Sequence, residues 1–137
     1  MHLLSKILPR LYLRKLTLCP YNISSKTIMH LDHQTFVTAI HSMKKLKLTF
    51  FSKQDGGELI RMCAPTDFGP SRRAKDKSDR YHFWDYESDA GKHILSLLPG
   101  QIIQIQSTEE SFDPSDFITW DVKQSPWFLQ RNWGVFS

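Results

Sequence analysis

Apolar residues first recur at helical spacing around position 36, where Phe36, Val37, Ile40 and Met43 form one stripe. Asp32 is placed to cap the start, and Lys44 and Lys45 stand where a helix dipole favours cations. This predicts a helix from 33 to about 44. The period then falls to two: Leu46, Leu48 and Phe50 alternate with Lys45, Lys47 and Thr49, as in a half-buried strand. Asp55-Gly56-Gly57 signals a tight turn, and residues 59 to 64 supply a return strand. Pro65, Gly69 and Pro70 are expected to break that strand and open a loop.

Further strands are expected over 80 to 86, 93 to 98 and 101 to 106, separated by a polar turn at 87 to 92 and by Pro99-Gly100. Five short strands in meander order after one helix point to a mostly β domain with some α structure. The expected form is a small, bent, SH3/Sm-like barrel whose closure hides its edges. Asp113-Pro114-Ser115 should cap a short helical turn carrying Phe117, Ile118 and Trp120. The aromatic tail from Pro126 to Trp133 is too apolar to stay free, and is expected as a helical appendage packed on the barrel.

Charge divides the chain in two. The 137 residues carry a net +4, yet residues 1 to 28 hold Lys6, Arg10, Arg14, Lys15 and Lys26 and no acid. From Met29 onward the balance is near neutral, so general nucleic-acid affinity does not follow from the overall charge, and a cationic site must be local. We read residues 1 to 28 as a basic extension, either a targeting segment or sequence upstream of a true start at Met29, and residues 29 to 137 as one globular domain. The abrupt change of composition favours the start at Met29. Two cysteines, Cys19 and Cys63, make neither a disulfide framework nor a zinc site, which fits a reducing, cytoplasmic setting. No apolar run is long enough for a membrane span.

The local cationic site is the segment 69 to 80, where Arg72, Arg73, Lys75, Lys77 and Arg80 stand against Asp76 and Asp79. It leads into Tyr81-His82-Phe83-Trp84-Asp85-Tyr86, so charge and aromatic faces adjoin, a combination suited to phosphate and base recognition. Tyr81, Phe83 and Asp85 share one strand face, and His82, Trp84 and Tyr86 the other. Tyr81 and Phe83 are assigned to the core; Trp84 and Tyr86, with His82, are the expected stacking group. Arg61, within an apolar strand, needs a carboxylate such as Asp85 or a ligand. The expected ligand-binding set is therefore Arg61, Arg72, Arg73, Lys75, Lys77, Arg80, His82, Trp84 and Tyr86. Against it stands the plainer reading of a solvated charged loop.

Catalytic arrangements are weak. His82 and His93 lack a third metal ligand at characteristic spacing, a Cys63–His82 pair lacks an orienting group, and the acids near the loop form no nuclease unit. No cofactor is expected. The reading is a non-enzymatic, regulatory binding module for nucleic acid or a nucleotide-like anion. The alternatives are a protein-interaction or self-association module using residues 109 to 137, and a small metal-dependent nuclease or hydrolase.

Phe36-Val-x-Ala39-Ile40, Lys45-Leu-Lys-Leu-Thr-Phe50, Arg61-x-x-x-Pro65, the strand around Tyr81, Leu95-Ser-Leu97 and Gln101-Ile102 follow one another in a layout that resembles WYL domains over residues 33 to 106. The resemblance implies an SH3/Sm-like fold and a ligand-sensing role in regulators, with basic and polar side chains binding nucleic-acid-derived ligands. Where that family carries its naming triplet this chain has Arg80-Tyr81-His82. Where the family carries an arginine-bearing segment this chain reads Ile94-Leu-Ser-Leu-Leu-Pro-Gly-Gln-Ile102.

Overall fold

The computed structural model describes residues 28–88 and 93–137. One helix, α1 (His33–Ser42), precedes strands β1 (Lys44–Ser52), β2 (Gly57–Pro70), β3 (Asp79–Asp85), β4 (Ile94–Leu97) and β5 (Ile102–Ser111). The basic extension lies outside the described residues, apart from Ile28 at its end, and so does most of the polar turn expected at 87 to 92. Among the described residues, no helix is long and apolar enough to cross a membrane.

The helix buries Phe36, Ala39 and Ile40, with Val37 and Met43 packed at the margin, as the spacing requires. It ends two residues earlier than expected, because Met43 takes a left-handed conformation (φ 53°) and Lys44 already belongs to β1. Asp32 does not cap the helix with its side chain. Its Oδ2 instead accepts the Ile105 N–H at 2.9 Å, tying the helix entrance to β5.

The five strands form one antiparallel sheet in the order β4-β3-β2-β1-β5. The expected barrel is not formed: β4 has only four residues, while β5 runs ten residues along the far side of β1, so β4 and β5 remain opposite edges. β2 is longer than expected, passing through Pro65 to end at Pro70. Pro65 is tolerated because the register with β3 shifts between Pro65 and Asp67, a bulge that needs no ladder hydrogen bond from the missing N–H. Without that bulge Asp67 would face α1; with it, Asp67 pairs with His82 on the other face.

The first face of the sheet carries Leu46, Leu48, Cys63, Tyr81 and Phe83, all essentially inaccessible, under Phe36 of α1. The buried Tyr81 hydroxyl is satisfied, accepting from His30 N–H (2.9 Å) and donating to His33 Nδ1 (2.8 Å). Burial and the charges of Asp85 and Glu87 push the Cys63 thiol far above its ordinary range, so it is a small hydrophobe and not a nucleophile.

The chain after β5 covers part of the second face. Phe112 N–H bonds Met43 O at the end of α1, Trp133 Nε1 donates to Ile40 O at 2.8 Å, and Phe117 stacks on Trp84. Phe112, Phe117, Ile118, Val122 and Trp133 are buried, so the tail packs on the body as its composition requires. It is not helical, however. Asp113 caps a turn through Ser115 N–H as expected, but regular structure amounts to two 3-10 turns, Pro114–Asp116 and Gly134–Phe136. With four aromatic rings to seat between residues 117 and 128, the segment follows the sheet and not a helical repeat.

Candidate functional site

Between the second face of β3 and β4, the loop after β2 and the segment 117–128 lies a cleft of about 710 Å³. Its floor is Trp84, His82 and Ser96; Arg72 and Arg73 stand at one wall, and Trp120 and Phe128 at another. The alternation along β3 makes this possible, since Tyr81, Phe83 and Asp85 fill the interior and leave His82 and Trp84 half-buried.

The floor is held rigidly. His82 Nε2 donates to the Gly69 carbonyl at 2.9 Å, which fixes the tautomer and leaves Nδ1 to accept from Ser96 Oγ at 2.8 Å. His93 Nδ1 likewise donates to Asp85 O, and its ring stacks on Trp84 at 4.8 Å. The wall is anchored by Asp67. Its carboxylate accepts the N–H groups of Phe128 and Leu129 and meets Arg131, whose guanidinium has a fully buried side chain and lies over the rings of Trp127 and Trp133 at 3.9 and 4.4 Å. Arg131 also donates to the Thr66 carbonyl. Burial lowers Arg131 to about 10, with Asp67 opposing, so it keeps its charge at neutral pH.

The cationic loop sorts its own charges. Lys77, though exposed, folds back on its own loop, its Nζ donating to Ser71 O (3.0 Å) and Arg72 O (3.3 Å). Arg80 lies near Asp76 at 4.0 Å, and Asp76 is held below the usual carboxylate range by hydrogen bonds from Ser78. Arg72 reaches across the cleft mouth to Pro126 O at 3.3 Å, and Arg73 is exposed beside it.

Of the nine residues expected to bind a ligand, four converge on the cleft: Arg72, Arg73, His82 and Trp84. The other five do not line it. Arg61 pairs with Asp85 at 3.6 Å, the carboxylate the sequence proposed for it. Lys75 is exposed on the loop, Lys77 is folded onto loop carbonyls, and Arg80 turns toward Asp76. Tyr86 donates to Asp116 Oδ2 at 3.3 Å beneath Lys45, 4.3 Å from its ring centre; burial, more than Asp116, raises its hydroxyl well above the ordinary value. Trp84 is not an open stacking platform either, because His93 and Phe117 already stack on it. Trp120, Trp127 and Phe128 also line the cleft, and the sequence reading did not include them in the expected set. The aromatic density of the tail signals that they pack, but only the bulge that turns Asp67 toward them shows where.

An open antiparallel sheet with one helix thus holds a cleft with two arginines at its mouth and aromatic rings around it. No family model matches the chain, and no curated protein matches it. Among solved structures it is similar to proteasome accessory factor B/C (PafBC) of Arthrobacter aurescens, with a TM-score of 0.51 at 14% identity, over 72% of this chain and 15% of that one. The chain thus spans a small part of that protein, and the likeness is one of fold.

Proposed function

We propose that this chain is a WYL-like, regulatory ligand-binding module that recognises nucleic acid or a nucleotide-like anion in the cleft. The observation that carries this reading is the convergence of Arg72 and Arg73 on a concave aromatic surface, while Lys77 and Arg80 are turned to neighbours within the protein. Arginine gives two-pronged hydrogen bonds to phosphate, and an aromatic surface accepts a base without regard to sequence. The likeness in fold to PafBC supports the WYL-like part of the reading, and the fixed histidines suit a recognition surface better than proton transfer.

Titration of a fluorescent deoxyadenylate oligomer at several salt concentrations tests the reading. Affinity should fall steeply as salt rises. Replacing both Arg72 and Arg73 by Ala should weaken binding and lower the slope by about 0.7 for each phosphate of the single strand no longer neutralised. Binding that ignores both salt and the two arginines would remove the anionic ligand.

A further inference from the structure

We infer that Trp120 and Phe128, supplied by the segment after β5 and not by the strand floor, are the rings that meet the planar group of the ligand. This deepens the cleft reading above and rests on it. Most aromatic faces around the cleft are already covered. Trp84 carries His93 and Phe117 on its ring, and Phe83 is buried. Trp127 has Arg131 over its ring, its Nε1 bonded to Phe136 O at 2.7 Å, and edge contacts to Trp120 and Trp133. Phe117 is buried against Phe112, Trp133 and Trp84.

Trp120 and Phe128 differ from all of these. Trp120 is 41% exposed and meets Trp127 only edge to face; Phe128 is 52% exposed, with its ring resting on Gly69. Both line the same cleft as Arg72 and Arg73. Their exposure leaves apolar surface in water, yet the tail is fixed: Asp67 holds the Phe128 and Leu129 N–H groups at 2.9 and 3.0 Å. Two open rings beside two guanidinium groups that form no ion pair among the described residues fit a ligand that is anionic at one end and planar at the other. Ordering such rings beforehand removes part of the entropy cost of binding.

The division of labour gives the test. With a deoxyadenylate oligomer and inorganic tripolyphosphate as probes, Trp120→Ala and Phe128→Ala should each weaken the oligomer on the order of tenfold and leave tripolyphosphate unchanged. Arg72→Ala with Arg73→Ala should weaken both. Trp120→Phe, which keeps a ring, should recover most of the oligomer affinity, and unchanged far-UV dichroism would show that the folds are intact. If the two ring deletions bind the oligomer like the unaltered protein while the arginine pair does not, the ring assignment is wrong and the cleft reading survives. Failure of Trp120→Phe to recover affinity would also overturn the assignment. If neither probe binds the unaltered protein, both readings fall together.

Discussion

Asp67 and Arg131 lie 64 residues apart in the chain and 3.3 Å apart in space, and around this pair the C-terminal segment is fastened to the sheet. Asp67 Oδ1 also accepts from Phe68 and Leu129 N–H, and Oδ2 from Phe128 N–H, so one carboxylate satisfies three backbone donors and a guanidinium. Because the Arg131 side chain is fully buried, removing its partner leaves a charge without water. Asp67→Ala should therefore cost about 3–5 kcal/mol in urea unfolding. A loss below about 1 kcal/mol, typical of a surface pair, would show that the fastening is not there.

Gly69 carries no side chain where Phe128 sits. A Cβ built on Gly69 falls 2.4 Å from Phe128 Cδ2, inside contact distance, although the backbone itself accepts any residue. Gly69→Ala should push the Phe128 ring away and destabilise the fold by about 1–3 kcal/mol. Removing the ring should remove the conflict, so Gly69→Ala combined with Phe128→Ala is expected to be less destabilised than the two single changes added together. Simple additivity in that cycle would contradict the packing.

His33 makes stability depend on pH. Burial holds its imidazole below the ordinary value, and its Nδ1 accepts from the Tyr81 hydroxyl, which burial pushes up to about 12. The unfolded chain takes up the histidine proton first as pH falls. Stability from the neutral ring is thus complete above the ordinary histidine range of about 6.5 and is lost on acidification through the lower folded value. His30 and Asp32 lie on the same segment, so the His33 share must be isolated. Urea midpoints measured from about pH 8 to 5.5 should fall more steeply in the unaltered protein than in His33→Gln. Equal slopes would assign the dependence elsewhere.

Thiol labelling reports on the same interior. Cys63 is inaccessible and its thiol is raised by burial, so in a Cys19→Ser background iodoacetamide should modify it only at the rate of unfolding. Rapid labelling under native conditions would mean that β2 opens locally.

Much of the fold was legible because one period of apolar residues ends where another begins. Phe36 and Ile40 announced α1, and the alternation through Leu46, Leu48 and Phe50 announced β1. The same rule placed Tyr81 and Phe83 inside, and the need of a guanidinium in an apolar strand for a carboxylate pointed Arg61 to Asp85. What was not legible depended on pairing between distant segments. Pro65 looked like a strand end because local propensity counts its missing N–H, whereas the bulge beside it makes that absence harmless. Closure of the sheet failed for a similar reason: meander order says nothing about whether the last strand returns to the first alone or also reaches the fourth. The lining of the candidate cleft was legible in part. Charge marked the loop, but which of its cations are engaged within the protein is decided by Lys77 finding loop carbonyls and Arg80 finding Asp76, arrangements that spacing alone does not specify.

Arg61 separates stability from binding. Its Nε lies 3.6 Å from Asp85 Oδ2; the arginine side chain is about one-third exposed, and the carboxylate is buried. Asp85 keeps the hydrogen bond from Glu87 N–H, at 2.9 Å, when the guanidinium is removed. Solvent reaches the arginine, so Arg61→Ala should cost about 1–3 kcal/mol, between a surface pair and a fully buried one. Because Arg61 does not line the cleft, affinity for the deoxyadenylate oligomer should stay within about twofold of the unaltered protein, a smaller change than removal of a ligand-binding side chain would cause. A stable Arg61→Ala protein with sharply reduced affinity would move the binding surface to the first face of the sheet and away from Arg72 and Arg73.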